Sequence, residues 1–261
     1  DIFIAANGFN SGAGKVYLFY SGSEFTGEID LTTASASFYG DTSGEALGSN
    51  VASIGDVNND GYDDIILGAP LYSGSTYTYQ GRAYVFYGAG LAGAYGSSEA
   101  DLILTGELDE NYAGLGLAGG QDLNGDGIDD IAVGAHGYDS AGTDDGRAYI
   151  VYGSETAAGE VDLSTADVII TGEDVENYAG HQLAMSPDMD DDGMGELFIG
   201  AYGHNSLTGK VYFLKGSASL SASFTLSDAD VDGSLIGEAA NDQAGVSLSC
   251  LLYTSDAADE S

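Results

Sequence analysis

Oxygen-bearing side chains recur at alternating positions in three acidic stretches, DVNNDGYDD from residue 56, DLNGDGIDD from 122 and DMDDDGMGE from 188. Positions 1, 3, 5 and 9 hold Asp56, Asn58, Asp60 and Asp64 in the first stretch and Asp122, Asn124, Asp126 and Asp130 in the second. In the third they hold Asp188, Asp190, Asp192 and Glu196, and Gly61, Gly127 and Gly193 fill position 6. A loop that turns every second side chain inward can wrap a hard cation, and Ca2+ takes about six to eight oxygens at about 2.3 to 2.6 Å. The glycine permits a sharp turn that brings the position 7 carbonyl, of Tyr62, Ile128 or Met194, to the same ion. Three calcium sites are therefore expected, each tying two strands together. Without an ion the crowded carboxylates repel one another.

Asp-Gly and Asn-Gly clusters also make turns with no metal, but three copies at constant spacing with the same donor positions argue for a cation. Position 12, where an EF-hand needs a bidentate glutamate, carries Leu67, Val133 and Ile199, and a strand follows where that motif has a helix. An all-oxygen set without histidine or cysteine selects calcium over zinc or copper, with magnesium, which demands a stricter octahedron, second. The third loop carries four acids and by charge is expected to bind most tightly.

The loops sit in a repeat. DIILGAP, DIAVGAH and ELFIGAY begin at 64, 130 and 196, and DIFIAAN at residue 1 is a fourth copy. GKVYLF at 14, GRAYVF at 81, GRAYIV at 146 and GKVYFL at 209 follow them, and ADLILTGE at 100 and ADVIITGE at 166 add a further marker. Each period thus holds four short segments rich in Val, Ile, Leu, Tyr and Phe, bounded by Gly, Asp, Asn and Ser, which read as strands and turns. Four-stranded units at this period predict an all-β protein, a β-propeller of stacked blades. The expected organisation is a partial blade over 1–44, blades over about 45–110, 111–176 and 177–241, and the first strand of a further blade at 245–249. Either these units belong to a larger ring, of which the chain is a fragment, or the last strand completes the first blade and four blades close. Residues 250–261, including CLLYTSDAADE, read as a tail derived from a sequencing adaptor and are set apart from the fold.

The 261 residues carry 42 acidic and 5 basic side chains, a net charge of −37 that opposes binding to nucleic acid or an anionic membrane. No run approaches the ~20 apolar residues of a membrane span, and the chain opens on DIFIAANG without a basic and apolar leader. Neither a nucleophile elbow nor a phosphate loop is present. Four of the five basic residues, Lys15, Arg82, Arg147 and Lys210, share one repeat position, and a half-buried pairing with a carboxylate or carbonyl is expected for each. Lys215 is expected to be solvated, as are His136 and His204.

The first-strand motif AGLGLAGG, the DxNxDGxxD loop, the DIILGAP ending and the GRAYVFYG strand together resemble the FG-GAP repeats of the integrin α-subunit propeller and its bacterial relatives, over residues 1 to 249. Phenylalanine is absent from the first-strand motif, and only Pro70 keeps the proline of GAP. The resemblance implies a seven-bladed propeller, here about four blades of it, with the calcium loops on one face and ligand recognition on the other. The opposite face would be built from 69–81, 135–146, 201–209 and the TGE-to-AG turns, where Tyr72, Tyr77, Tyr79, Tyr138 and Tyr202 offer a contact surface for a protein or glycan or pack between blades. The expected function is a non-enzymatic, calcium-binding recognition or adhesion module outside the cell or at its surface. The alternatives are the propeller of a secreted polysaccharide-degrading enzyme such as a lyase, or an architectural surface array.

Overall fold

The computed structural model describes residues 1–22, 25–139, 143–227 and 231–250. The expected tail, from 251 onward, and residues 23–24, 140–142 and 228–230 lie outside the described residues. Among the described residues, short segments of β-branched and aromatic residues between glycine and aspartate turns form eighteen strands. They are β1 (Ile2–Ala5), β2 (Lys15–Phe19), β3 (Ala36–Tyr39), β4 (Asn50–Gly55), β5 (Asp64–Ala69) and β6 (Arg82–Phe86). Then come β7 (Gly93–Gly96), β8 (Leu102–Thr105), β9 (Gly116–Gln121), β10 (Asp130–Ala135), β11 (Arg147–Val151) and β12 (Gly159–Asp162). The series ends with β13 (Val168–Thr171), β14 (Gln182–Ser186), β15 (Glu196–Ala201), β16 (Lys210–Lys215), β17 (Ser223–Thr225) and β18 (Gly233–Ile236).

Consecutive strands pair antiparallel into four sheets, β1-β2-β3, β4-β5-β6-β8, β9-β10-β11-β13 and β14-β15-β16-β18. The inner strands β4, β9 and β14 lie side by side, so the sheets stack as blades. Because neighbouring sheets cover both faces of the second and third sheets, their middle strands carry no polar alternation: all six residues of β5 and of β10 are buried. Successive side chains serve opposite neighbours. Ile65 and Leu67 pack with Val16, Leu18 and Phe38 of the first sheet, while Ile66 joins Ile131, Val133 and Tyr149 of the third. Ala132 and Ile150 in turn face Leu197, Ile199 and Tyr212 of the fourth.

Glycine in the Gly-Ala ending of the second strand follows from this stacking. A Cβ on Gly134 would lie 1.8 Å from the Gly180 carbonyl oxygen of the next blade, and one on Gly68 would lie 2.0 Å from that of Gly114. Parallel bridges Gly14 to Leu47, Gly81 to Ala113, Gly146 to Ala179 and Gly209 to Ala244 repeat the same approach at every junction.

An additional outer strand, which the four-segment reading of the sequence does not anticipate, joins three of the four sheets among the described residues, as the fourth strand of the first and the fifth strand of the second and third. The connection between the third and fourth strands of each unit reaches back and pairs in parallel with the outer strand of the unit before it: β7 with β3, β12 with β8, and β17 with β13. These segments are too short and polar to announce themselves as strands, and the edge they join supplies the missing hydrogen bonds. Residues 245–249, expected as a further first strand, form a turn and bend and no strand, since among the described residues no second strand lies beside them to complete a ladder.

Candidate metal centres

The three acidic loops occupy one structural position, the link from first to second strand of a blade: β4 to β5, β9 to β10 and β14 to β15. In each, the position 1 carboxylate is held by backbone donors. Asp56 accepts from the N–H of Asp60 (2.9 Å) and Gly61 (2.8 Å), Asp122 from Gly125 (2.6 Å) and Gly127 (2.7 Å), and Asp188 from Asp192 (3.1 Å) and Gly193 (2.7 Å). The Gly193 amide and its neighbours hold Asp188 below the usual carboxylate range. Position 3 folds onto position 5: Asn58 Nδ2 donates to Asp60 Oδ2, and Asn124 Nδ2 to Asp126 Oδ2, both at 3.0 Å. Position 5 accepts from the position 7 amide at 2.9 Å in all three, from Tyr62, Ile128 and Met194. The position 6 glycines have φ of 90°, 88° and 91°, the left-handed turn the sequence calls for.

Position 9 differs, because it opens a buried strand. Asp64 and Asp130 are fully buried and Glu196 is 1% exposed. Asp64 accepts from the amides of Val57 (3.0 Å) and Gly88 (2.8 Å), and Asp130 from Leu123 (2.7 Å) and Gly153 (2.9 Å). Glu196 accepts from the Met189 amide and from Ser186 Oγ (2.7 Å). Burial, reinforced by Asp60 and Asp56, pushes the Asp64 carboxyl up to about 6 against the pull of its two donors. The same burial, with Asp122 and Asp126 alongside, pushes Asp130 up to about 7. Among the described residues no lysine, arginine or histidine pairs with either. A buried carboxylate facing other carboxylates without a counter-charge is the environment a divalent cation relieves.

In the third loop Asp188, Asp190 and Glu196 bring carboxylate oxygens within 4.8 Å of one another. Lys215, expected in solvent, places its Nζ 2.7 Å from Asp190 and is 42% exposed. The donor set in all three loops fits a hard cation, with Asp56, Asn58, Asp60 and Asp64 and their counterparts as holders. The charge such an ion supplies would offset the carboxylates. Position 8 carries a role the spacing argument misses. Asp129 Oδ2 accepts from the Asp56 amide in the neighbouring blade at 2.9 Å, and Gly195 at the matching place donates its N–H to the Asp122 carbonyl at 2.8 Å. The loops are thus linked blade to blade, a contact between adjacent repeats that no single loop sequence reveals.

The remaining candidates lie away from these loops. Arg147 pairs with Glu107 (2.5 Å) and stacks on Tyr138 (3.5 Å to the ring centroid), Lys210 pairs with Glu173 (2.9 Å), and Arg82 pairs with Glu160 and stacks on Tyr72 at 3.9 Å. Lys15 lies over Tyr17 at 4.9 Å. These contacts join blades or seat side chains. Tyr79, Tyr112, His136, Tyr178 and Tyr202 form a run of rings, with Tyr79 stacked on Tyr112 at 6.0 Å and Tyr178 on Tyr202 at 5.0 Å. His136, expected in solvent, is instead wedged against Tyr112 at 5.3 Å, and burial lowers its pKa to about 4. His204 lies 3.0 Å from Glu173 rather than in open solvent.

This repeated geometry has counterparts among known proteins. The FG-GAP repeat profile matches residues 47–86 and 113–151, each running from the first strand through the acidic loop to the end of the third strand. The chain carries FG-GAP repeats. Integrin alpha-5 of Xenopus laevis is 31% identical over 147 residues, 52% of this chain and 12% of that protein. Integrin alpha-7 of Homo sapiens is 32% identical over 163 residues, 61% of this chain and 13% of its own length. The phosphatidylinositol-glycan-specific phospholipase D of Rattus norvegicus is 32% identical over 190 residues, 70% of this chain and 22% of the enzyme. The chain therefore spans less than a quarter of each of these relatives. The third unit, β14 to β16, repeats the strand order and loop of the two matched FG-GAP units.

Proposed function

We propose that this FG-GAP chain is a calcium-binding recognition module of an extracellular or cell-surface protein, non-enzymatic, in which Ca2+ at three loops stiffens blades that present a protein or glycan ligand on the opposite face. The observation that carries this reading is the pair of buried position 9 carboxylates, Asp64 and Asp130, ringed by acids and backbone donors without a basic partner. The similarity to integrin α subunits supports the adhesive role. Extracellular calcium is abundant enough to fill even weak sites. The net charge of −37 favours partners other than nucleic acid.

A second reading, that the units accompany a catalytic domain, is supported by the similarity to the phospholipase D. The basic residues argue against chemistry within the units, because Arg147 and Lys210 are spent on Glu107 and Glu173. Thermal unfolding in millimolar Ca2+ and in chelator tests the metal. A ligand present at about 100 times Kd adds ~2.7 kcal/mol per site, so a melting curve unmoved by chelator refutes the calcium reading. Glycan and matrix-protein arrays probed with and without Ca2+ test recognition, and absence of any calcium-dependent signal favours the accessory or architectural readings.

A further inference from the structure

The second sheet departs from the third at one place, and a hollow opens there. In the third sheet Arg147 is held on three sides: its Nη1 meets Glu107 at 2.5 Å, its Nε donates to Thr171 Oγ1 at 3.1 Å, and its guanidinium lies over Tyr138. Arg82, Thr105 and Tyr72 hold the same places in the second sheet, but Asp41 stands where Glu107 does and is taken up by the Ser98 amide (2.9 Å) and hydroxyl (2.6 Å). Arg82 reaches instead to Glu160 on the outer strand β12, and Thr105 Oγ1 donates to the same carboxylate at 3.0 Å. The Arg82 Nε is left buried without a partner.

The hollow has a volume of about 540 Å3, within the ~300 to 1,000 Å3 of small-ligand sites, and lies between the 69–81 connection and β12. Tyr72, Tyr77, Gln80, Arg82, Glu160 and Asp162 line it. Gln80 is 7% exposed; its Nε2 donates to the Gly106 carbonyl at 3.2 Å, while its Oε1 accepts no hydrogen bond among the described residues. Gly74 keeps the space beside that oxygen clear, since a Cβ there would stand 2.7 Å from it. Glu160 and Asp162, two residues apart on one strand, present their carboxylates to the same side. A guanidinium beside a carboxylate sets donors next to acceptors. A hydroxyl is both, so neighbouring hydroxyls of a sugar satisfy the pair at once and Gln80 Oε1 takes a further one. Tyr77, and Tyr72 stacked on Arg82 at 3.9 Å, supply flat apolar surface for the C–H side of a pyranose ring. An apolar ligand would leave the polar groups unpaired, and an anion would meet two carboxylates and a chain charge of −37. We propose, on the reading that the face opposite the acidic loops recognises ligands, that this hollow binds a neutral saccharide.

Saturation-transfer NMR on the full chain in Ca2+ tests this with millimolar methyl glycosides of glucose, galactose, mannose and N-acetylglucosamine, and with glucuronic acid as the anionic counterpart. At least one neutral glycoside is expected to bind saturably, with the same affinity at low and high salt because no ligand charge is screened, and glucuronic acid more weakly than any that binds. Tyr77→Ala and Gln80→Leu should each weaken binding about tenfold or more. Tyr79→Ala, in the same connection but outside the hollow, should leave it unchanged. If Gln80→Leu fails to fold by circular dichroism, Glu160→Gln takes its place, since that side chain is 54% exposed. No saturable binding by any of the neutral glycosides, a preference for glucuronic acid, or undiminished binding in the hollow variants overturns the proposal. Two of these failures leave the broader recognition reading standing: glycoside binding lost in Tyr202→Ala but not in the hollow variants, and calcium-dependent capture of a matrix protein by a chain that binds no glycoside. A chain that shows neither glycoside nor matrix-protein binding overturns both.

Discussion

Acidification should unfold this protein partly through His136, and the size of the effect follows from where that ring sits. It is wedged between Tyr112 and His181, 5.3 Å from each, with its buried Nδ1 lacking a hydrogen-bond partner, so protonation would put a cation into an unsatisfied apolar slot. Burial first, and His181 second, lower its pKa to about 4. An unfolded histidine titrates near 6.5. The unfolded state therefore binds the proton first as pH falls, and the stabilising contribution, complete above about pH 6.5, is lost on the way down to about 4. With those two values the loss at about pH 5 is ~2 kcal/mol relative to pH 7. His136→Phe keeps the ring and removes both the titration and the orphan nitrogen. At pH 7 it should lie within about 1 kcal/mol of the native chain, and at pH 5 it should be the more stable of the two by ~2 kcal/mol. Urea unfolding followed by circular dichroism, at both pH values and with calcium in fixed excess, measures the difference. Parallel pH dependence in the two proteins would refute the reasoning, because the carboxylates that also titrate in this range are common to both.

Two further substitutions separate the loops. Asp126→Ala removes a position 5 oxygen that contacts only its own loop, so titration calorimetry should fall from three calcium sites to two, and equal weakening of all three would contradict separate cages. Asp129→Ala should instead weaken the site of the preceding blade, whose Asp56 amide it holds, and an effect confined to the second loop would show that the link carries no coupling. Gly134→Ala drives a Cβ to 1.8 Å from the Gly180 carbonyl, a backbone collision with no flexible side chain to yield. It should cost about 3 kcal/mol or more in urea unfolding, and a loss below about 1 kcal/mol would mean that neighbouring blades slide past one another freely.

Period and residue type carried most of the fold into view. DIILGA and DIAVGA read as buried strands because both faces of their blades are covered, and their glycines, like that of ELFIGA, mark the close approach of the next blade rather than loop flexibility. The acidic loops were equally legible, since their donors are adjacent in sequence and the glycine at position 6 fixes the turn. The contacts that cross between repeats were not legible. Gly159 to Asp162 becomes a strand only because the edge of β8 receives it, and Asp129 touches Asp56 only because two blades stand side by side. His136 shows the same limit from another direction. Its local sequence, AHGYD, is that of an exposed turn, while its burial is imposed by Tyr112 and Tyr178 from elsewhere in the chain. In a repeat protein, sequence periodicity reports what each unit does for itself, and the properties that make units cohere appear only when two are placed together. The proposed calcium sites draw on both categories: the oxygens are local, but Asp64 and Asp130 are buried by the walls of adjoining strands, and that burial brings them up to about 6 and 7 against the pull of the Gly88 and Gly153 amides. A loop excised as a peptide would keep the donors and lose that enclosure, so its affinity should fall well below that of the same loop in the stacked sheets.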